Sequence, residues 1–208
     1  MQCIDGVDKV ENIRHLLKDY PIIPACRTKE QFDDAVESQA KIIFILESDI
    51  YDFKEKISRV KDCGKYAFIH FDLIAGLAQD DNALEYVKDT ADPTGIITTR
   101  KNLITKSKKL GMNTIQRMFL IDTTSIASAI NMARQTKPDA IEIMPGIAPK
   151  VIKAIKNRID TPIITGGLMT EEIEIKMALK AGAVAASLSK KKLWEYKSEE
   201  EQDVPTKI

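Results

Sequence analysis

Two glycines and two serines in the last third of the chain are suited to binding a phosphate group. Gly166 and Gly167 lie in the stretch ITGGLMTEE, and Ser187 and Ser189 lie in the later stretch AVAASLSKKK. Glycine lets backbone N–H groups approach a ligand because it has no Cβ atom, and a serine hydroxyl can donate to a phosphate oxygen. A helix that begins near Lys190 would add unpaired N–H groups and a positive dipole end. A lone glycine pair would indicate only a tight turn, but the combination predicts a phosphate monoester site.

Four acidic residues at or just beyond the ends of apolar runs could take part in catalysis or metal binding. Their carboxylates could bind Mg²⁺ through oxygen or act as acid–base pairs. These residues are Glu47, Asp49, Asp72 and Glu142. The simpler interpretation is that each satisfies nearby backbone groups or binds a ligand hydroxyl. His70 lies between two large apolar neighbours, which favours a packed side chain over a catalytic one. The apolar runs contain no lysine for Schiff-base chemistry, and no catalytic residue is assigned.

The formal net charge of zero conceals two oppositely charged halves. Residues 1–99 contain 12 Lys and Arg against 19 Asp and Glu, whereas residues 100–197 contain 18 against 8. A basic half suggests a polyanionic partner, although a solvated basic surface is the simpler explanation of the charge. The sequence shows no RNP motif, zinc knuckle or arginine-rich tract, so the residues alone do not establish RNA binding. Five cations are concentrated on one predicted helix: Arg100, Lys101, Lys106, Lys108 and Lys109.

Eight short apolar runs recur at fairly even spacing along the chain. Most are continuous and rich in Ile, Phe and Val, which is typical of parallel strands buried on both faces. The runs cover residues 22–26, 42–47, 66–73, 95–99, 115–122, 140–146, 162–167 and 183–189. Helices are predicted beside them, the first with Thr28 as its N-cap, over residues 28–38, 49–62, 81–88, 100–110, 124–134, 148–157, 170–181 and 190–196.

Eight β–α units with right-handed crossovers predict an α/β fold, a closed (β/α)₈ TIM barrel. We expect a single compact domain over residues 1–208, with an amphipathic segment at 1–20 and an acidic tail at 198–208. An open doubly wound sheet is the alternative. The barrel is favoured because no GxGxxG follows the first strand and the phosphate-type features follow the seventh and eighth. The carboxyl ends of the strands form the active face of such a barrel, so the polar residues there should meet.

The compartment is also predicted from the sequence. No apolar run approaches the roughly 18 residues of a membrane span, and the N-terminus is too charged for a signal peptide. The three cysteines are odd in number and lack metal-ligand spacing, which fits a reducing environment. We therefore predict a cytoplasmic protein that does not contact a membrane.

Six motifs together resemble the glycerol uptake operon antiterminator regulatory proteins. They are IPACRT, FIHFDLIAGL, GIITTRKNLITKSKKLG, IEIMPG, PIITGGLMTEEI and AVAASLSKKKLW, and the similarity runs from about Pro21 to Trp194. The resemblance implies a TIM-barrel regulator that responds to glycerol-3-phosphate as its effector and has no other cofactor. Such a regulator would bind the leader of a glycerol-catabolism mRNA and prevent premature transcription termination. No catalytic residue or metal is then expected. The oligomeric state remains open, and a homodimer is one alternative.

The resemblance also implies roles for the polar residues at the barrel mouth. The phosphate would be held by Gly166, Gly167, Ser187 and Ser189. The glycerol oxygens would contact Arg27, Glu47, Asp72 and Glu142. The RNA face would include Arg100, Lys101, Lys106, Lys108 and Lys109. Leu188 stands between the two serines where a third hydroxyl is expected, and we expect it to point into the barrel wall.

Two other functions remain open at this point. One is an enzyme that acts on a small phosphate ester or a glycerophosphodiester, with Mg²⁺ bound by the four acidic residues. The other is a barrel regulator that acts through protein contact, since a charged face would serve either kind of partner.

Overall fold

The computed structural model describes residues 13–18 and 20–196 of the chain. Its ten strands are β1 (Ile22–Cys26), β2 (Ile42–Ile45), β3 (Ser48–Asp49), β4 (Tyr66–His70), β5 (Ile74–Ala75), β6 (Gly95–Thr98), β7 (Asn113–Phe119), β8 (Ala140–Met144), β9 (Ile163–Gly166) and β10 (Ala185–Leu188). Eight of them form a closed parallel barrel in the order β1-β10-β9-β8-β7-β6-β4-β2, and β2 pairs with β1. The predicted (β/α)₈ barrel is confirmed, and the open sheet is excluded.

The first helix precedes β1, and the other helices separate the barrel strands. The helices are α1 (Ile13–Leu16), α2 (Lys29–Glu37), α3 (Phe53–Asp62), α4 (Asp81–Ala91), α5 (Lys101–Lys109), α6 (Thr123–Thr136), α7 (Pro149–Lys156) and α8 (Glu172–Lys180). Helix α2 begins at the predicted N-cap, where Thr28 Oγ1 accepts from Gln31 N and Gln31 Oε1 accepts from Thr28 N. This reciprocal capping box satisfies backbone donors that a helix start otherwise leaves unpaired.

The barrel strands divide the core into two layers because successive side chains point to opposite faces. The inner layer fills the barrel and includes Phe44, Phe68 and Ile115. The outer layer packs the strands against the helices and includes Leu188, which therefore lies in the barrel wall as expected. Ile13 of α1 is buried with the inner layer. The rest of the predicted amphipathic segment, apart from residues 13–18 and 20, and the whole acidic tail lie outside the described residues.

Three predicted helices differ from the structure by three residues or more at an end. Helix α4 ends at Ala91 rather than at residue 88. Helix α3 begins at Phe53 rather than at residue 49, because β3 pairs with β5 in a small separate parallel sheet. The last predicted helix, over residues 190–196, is only a 3-10 turn at Lys191–Leu193. The Trp194 indole Nε1 donates to the Leu188 carbonyl over 2.8 Å, which folds this segment back onto the end of β10. The helix dipole that was expected to support the phosphate site is therefore missing.

None of the described helices is long and apolar enough to cross a membrane.

Candidate functional site

A cavity of about 180 Å³ opens at the carboxyl ends of the barrel strands. Five of the eight residues predicted to bind the ligand line it: Arg27, Glu142, Gly167, Ser187 and Ser189. A sixth, Gly166, is not a lining residue but is the direct partner of Ser187 in the β9–β10 register. The remaining two, Glu47 and Asp72, are not among its lining residues. Five of the 13 residues that line the cavity were therefore among those predicted to bind the ligand.

A buried ion pair lies beneath the cavity. Arg117 Nε donates to Glu142 Oε2 over 2.6 Å, and the two side chains are 5% and 0% exposed. Ser187 Oγ donates to the other carboxylate oxygen, Oε1, also over 2.6 Å. A buried carboxylate is tolerated only when it is paired and hydrogen-bonded, and both Glu142 oxygens meet this requirement here. The arrangement fixes the Arg117 guanidinium in the cavity wall.

Sequence reasoning missed Arg117. This residue lies inside the run 115–122, which was predicted as one strand, and no role was assigned to it. In the structure the last residue of that run, Asp122, is the N-cap of α6, where its carboxylate accepts from a backbone amide. A usable signal was present, because Arg117 is the only cation in the run 115–122 and Glu142 is the only anion in the next run, 140–146. The two residues are direct partners in the β7–β8 register.

Both predicted serine hydroxyls donate to protein acceptors. Ser187 donates to Glu142, and Ser189 Oγ donates to the Ala25 carbonyl over 2.8 Å. A hydroxyl has one proton, so in this arrangement each serine can accept from a ligand but cannot donate to it. Phosphate binding by these serines stays a prediction. The donors best placed for an anion are the cationic side chains in the cavity wall.

Glycine occupies positions 166 and 167 for two different physical reasons. A Cβ atom at Gly166 would overlap Ser187 Oγ and would lie 3.2 Å from Glu142 Oε1. Gly167 has φ +74°, a left-handed conformation that side chains disfavour, and it is followed by Leu168 at φ +60°. Gly166 thus makes room for the buried hydrogen bonds, and Gly167 turns the chain at the cavity wall.

Glu47 and Asp72, which were predicted to contact glycerol, bind protein groups at the barrel mouth. Arg27 Nη1 and Glu47 Oε1 form an ion pair at 2.6 Å, with side chains 47% and 53% exposed. Asp72 Oδ1 accepts from Thr98 Oγ1 over 2.6 Å, and its Oδ2 accepts from the amide and hydroxyl of Thr99. Asp72 therefore ties the end of β4 to the end of β6. A glycerol contact for Glu47 or Asp72 stays a prediction.

The acidic cluster of the enzyme hypothesis does not assemble. Glu142 is paired with Arg117, and Asp49 Oδ1 accepts from the amides of Tyr51 and Asp52. Within residues 13–18 and 20–196, no three His, Cys, Asp or Glu side chains are placed to hold a metal ion. The Mg²⁺ site suggested for that hypothesis therefore does not form from Glu47, Asp49, Asp72 and Glu142.

His70 is packed, as predicted. It is 4% exposed, and its Nδ1 has no hydrogen-bond partner in the described part of the chain. Burial lowers the pKa of His70 to about 4, helped by the positive charge of Arg117 and opposed by the negative charge of Asp72. The imidazole is therefore neutral at physiological pH.

The pKa of His70 predicts a stability change with pH. The folded-state pKa of about 4 lies below the unfolded value near 6.5, so the unfolded chain takes up the proton first. Stability should fall as the pH drops from about 6.5 to about 4, by roughly 3 kcal/mol in total. Urea denaturation of the His70→Gln variant across this range should show a flatter pH profile than the unchanged chain. Parallel profiles would contradict the assignment.

The predicted RNA-binding cations lie on and just before α5. Arg100 is the N-cap residue and precedes the helix. Lys106 forms an ion pair with Glu85, and Lys108 Nζ donates to the Lys137 carbonyl. These contacts hold two of the cations against the protein. The remaining two are exposed on the same helix: Lys101 and Lys109.

Comparisons with known proteins give a consistent result. A family model described as glycerol-3-phosphate responsive antiterminator matches residues 22–194. The uncharacterized protein YgcP of Escherichia coli strain K12 is 32% identical over 180 residues, which cover 86% of this chain and 94% of that protein. The crystal structure of a glycerol uptake operon antiterminator regulatory protein from Listeria monocytogenes is 32% identical with a TM-score of 0.80, covering 84% of this chain and 94% of that one. A glycerol uptake operon antiterminator-related protein from Thermotoga maritima is 30% identical with a TM-score of 0.76, covering 86% and 99%.

Proposed function

The chain belongs to the glycerol-3-phosphate responsive antiterminator family, and we propose that it binds glycerol-3-phosphate and, in response, the leader of a glycerol-catabolism mRNA. Binding to the leader would prevent premature transcription termination in the cytoplasm. The observation that carries the proposal is the cavity at the barrel mouth, which combines a buried arginine with two further cations. This charge suits a small phosphate ester.

The cavity wall contains more positive than negative charge. Arg27, Arg117 and Lys190 line it, and Glu142 is the one acidic side chain among its lining residues. A guanidinium presents a planar fork of N–H donors that matches phosphate oxygens. We place the phosphate against these cations near Gly167, with the glycerol hydroxyls toward the rim. The rim is where Glu47 and Asp72 would make their predicted contacts.

A regulator, rather than an enzyme, fits the way these groups are used. The Glu142 carboxylate has both oxygens occupied, and His70 is buried and neutral. A sensor needs only different ligand affinities in two conformations, whereas an enzyme must bind the transition state more tightly than the substrate. We therefore propose that the cavity holds its ligand without chemical change.

The RNA half of the proposal is tested by titrating leader RNA into the chain with and without glycerol-3-phosphate. We expect the effector to raise RNA affinity by a factor of about 5 to 150, the usual range for coupled sites. Glycerol and inorganic phosphate, each lacking half of the ligand, serve as controls and should produce little change. RNA affinity that does not respond to glycerol-3-phosphate at low salt would contradict the proposal and favour a protein partner.

A further inference from the structure

A second concave surface lies on the flank of the barrel, between α5 and α6. This groove has a volume of about 350 Å³, and its charged lining consists of three cations and one acidic residue: Lys101, Lys106, Lys109 and Asp81. We propose that this groove binds a single-stranded stretch of the leader RNA and is joined to the effector cavity through strand β7. The inference rests on the proposed function and adds the RNA surface and its connection to the effector.

Two of the three lysines of the groove are available to an outside partner. Lys106 is held by Glu85, and this contact raises its pKa, so that it stays charged. Lys101 and Lys109 are exposed and have no ion-pair partner within the described residues. They lie eight positions apart on one helix, or about 12 Å along its axis, far enough to contact different phosphates. The two unpaired lysines are therefore the strongest candidates for phosphate contacts.

The groove also contains side chains that can do more than neutralise phosphate. Asn102 and Gln135 carry amide groups that both donate and accept, and Thr105 and Thr136 carry hydroxyls that donate to protein acceptors and can accept from a ligand. Such groups can contact base edges and ribose 2′-hydroxyls on an unpaired strand. The residues that line the groove include no aromatic side chain, so binding would depend on charge and hydrogen bonds rather than on base stacking.

Strand β7 reaches both the groove and the effector cavity. Thr136 lines the groove, and its Oγ1 lies 2.7 Å from Gln116 Oε1 and 2.9 Å from the Met132 carbonyl, two acceptors for its one proton. Gln116 is fully buried on the outer face of β7, and the next residue, Arg117, lines the effector cavity from the inner face. Neighbouring residues on one strand thus contact the two surfaces. A movement of Arg117 on effector binding would therefore change the geometry of the Gln116–Thr136 hydrogen bond.

The hydrogen bonds between Gln116 and Thr136 have two possible arrangements. The single Thr136 hydroxyl proton can go to Gln116 Oε1 or to the Met132 carbonyl, and in the second case the Gln116 amide can turn so that Nε2, which has no partner among the described residues, donates to Thr136 Oγ1. Each arrangement pairs one polar atom of the buried amide and not the other, so the two can lie close in free energy. An element with two arrangements of similar free energy is what coupling between sites requires.

The test compares two double variants of the full chain with equal charge changes. Lys101→Gln/Lys109→Gln removes the unpaired groove cations, and Lys150→Gln/Lys153→Gln removes two exposed cations of α7. The probe is an in-vitro transcript of the operon leader, measured by fluorescence anisotropy at several salt concentrations. The groove variant should lose about tenfold in affinity, and its salt slope should fall by about 1.4, the value for two phosphates on a single strand. The α7 variant should behave like the unchanged chain.

The outcomes distinguish a failure of the groove proposal from a failure of the proposed function. Equal losses in the two double variants would overturn the groove while leaving RNA binding itself in place. An unchanged chain that binds no leader RNA would overturn both. A third variant, Gln116→Met, tests the connection through β7, and we expect it to keep RNA affinity without effector but to lose most of the gain that glycerol-3-phosphate produces. A full gain in Gln116→Met would overturn the connection.

Discussion

The Arg117→Ala variant should lose detectable binding of glycerol-3-phosphate and should be less stable by about 3–5 kcal/mol. The substitution removes a cation from the cavity wall, and it also leaves Glu142 as a buried charge with no ion-pair partner. Ser187 would still donate to that carboxylate, but one neutral hydrogen bond does not replace a charged partner. Isothermal titration calorimetry measures the binding, and urea denaturation measures the free energy of unfolding.

A second variant separates the loss of binding from the loss of stability. Arg117→Met/Glu142→Met removes both charges and fills a similar volume, so its stability should recover to within about 1–2 kcal/mol of the unchanged chain. Its binding of glycerol-3-phosphate should not recover, because the guanidinium is still missing. An Arg117→Ala variant that binds glycerol-3-phosphate with unchanged affinity would show that Arg117 is only structural.

The second large effect is expected from Gly166→Ala. The added Cβ atom would overlap Ser187 Oγ, which must then move and break its hydrogen bond with Glu142. Forcing an extra methyl group into a packed site costs about 1–3 kcal/mol, and the displaced side chains should weaken glycerol-3-phosphate binding by about tenfold or more. Thermal denaturation and calorimetric titration of the purified variant would measure both changes.

The overlap can be relieved by a second substitution. In Gly166→Ala/Ser187→Ala the obstructing hydroxyl is gone, so this variant should be more stable than Gly166→Ala alone. Ser187→Ala by itself serves as the reference for the lost hydrogen bond. Equal stability of the Gly166→Ala variant and the unchanged chain would show that the close packing around Gly166 is not a constraint.

Local patterns were enough to predict the barrel. The strand at 22–26 was predicted with the bounds that β1 has, because a continuous apolar run between polar residues has few alternatives once a parallel sheet is assumed. Thr28 was identified as an N-cap because the residue type itself satisfies the first turn of a helix. Both signals depend only on residues that are close in the sequence, so they can be interpreted without knowledge of the tertiary contacts.

The contacts inside the cavity could not be predicted in the same way. Ser187 and Ser189 were correctly placed at the cavity, but whether a hydroxyl donates to a ligand or to the protein depends on which acceptors face it. Glu142 and Asp72 were treated alike because each lies near a strand end. One turned into the barrel to pair with Arg117, whereas the other ties two strand ends together at the mouth. Those outcomes depend on the barrel register, which no single run of residues specifies.

The link between effector and RNA is tested most directly by measuring each affinity in the presence of the other ligand. Glycerol-3-phosphate affinity is measured with and without saturating leader RNA, and leader RNA affinity with and without saturating glycerol-3-phosphate, in one buffer at one salt concentration. Thermodynamic linkage requires the two factors to be equal, and we expect both to exceed about five. A factor of one in both titrations would contradict the proposal that this chain is an effector-controlled RNA-binding regulator.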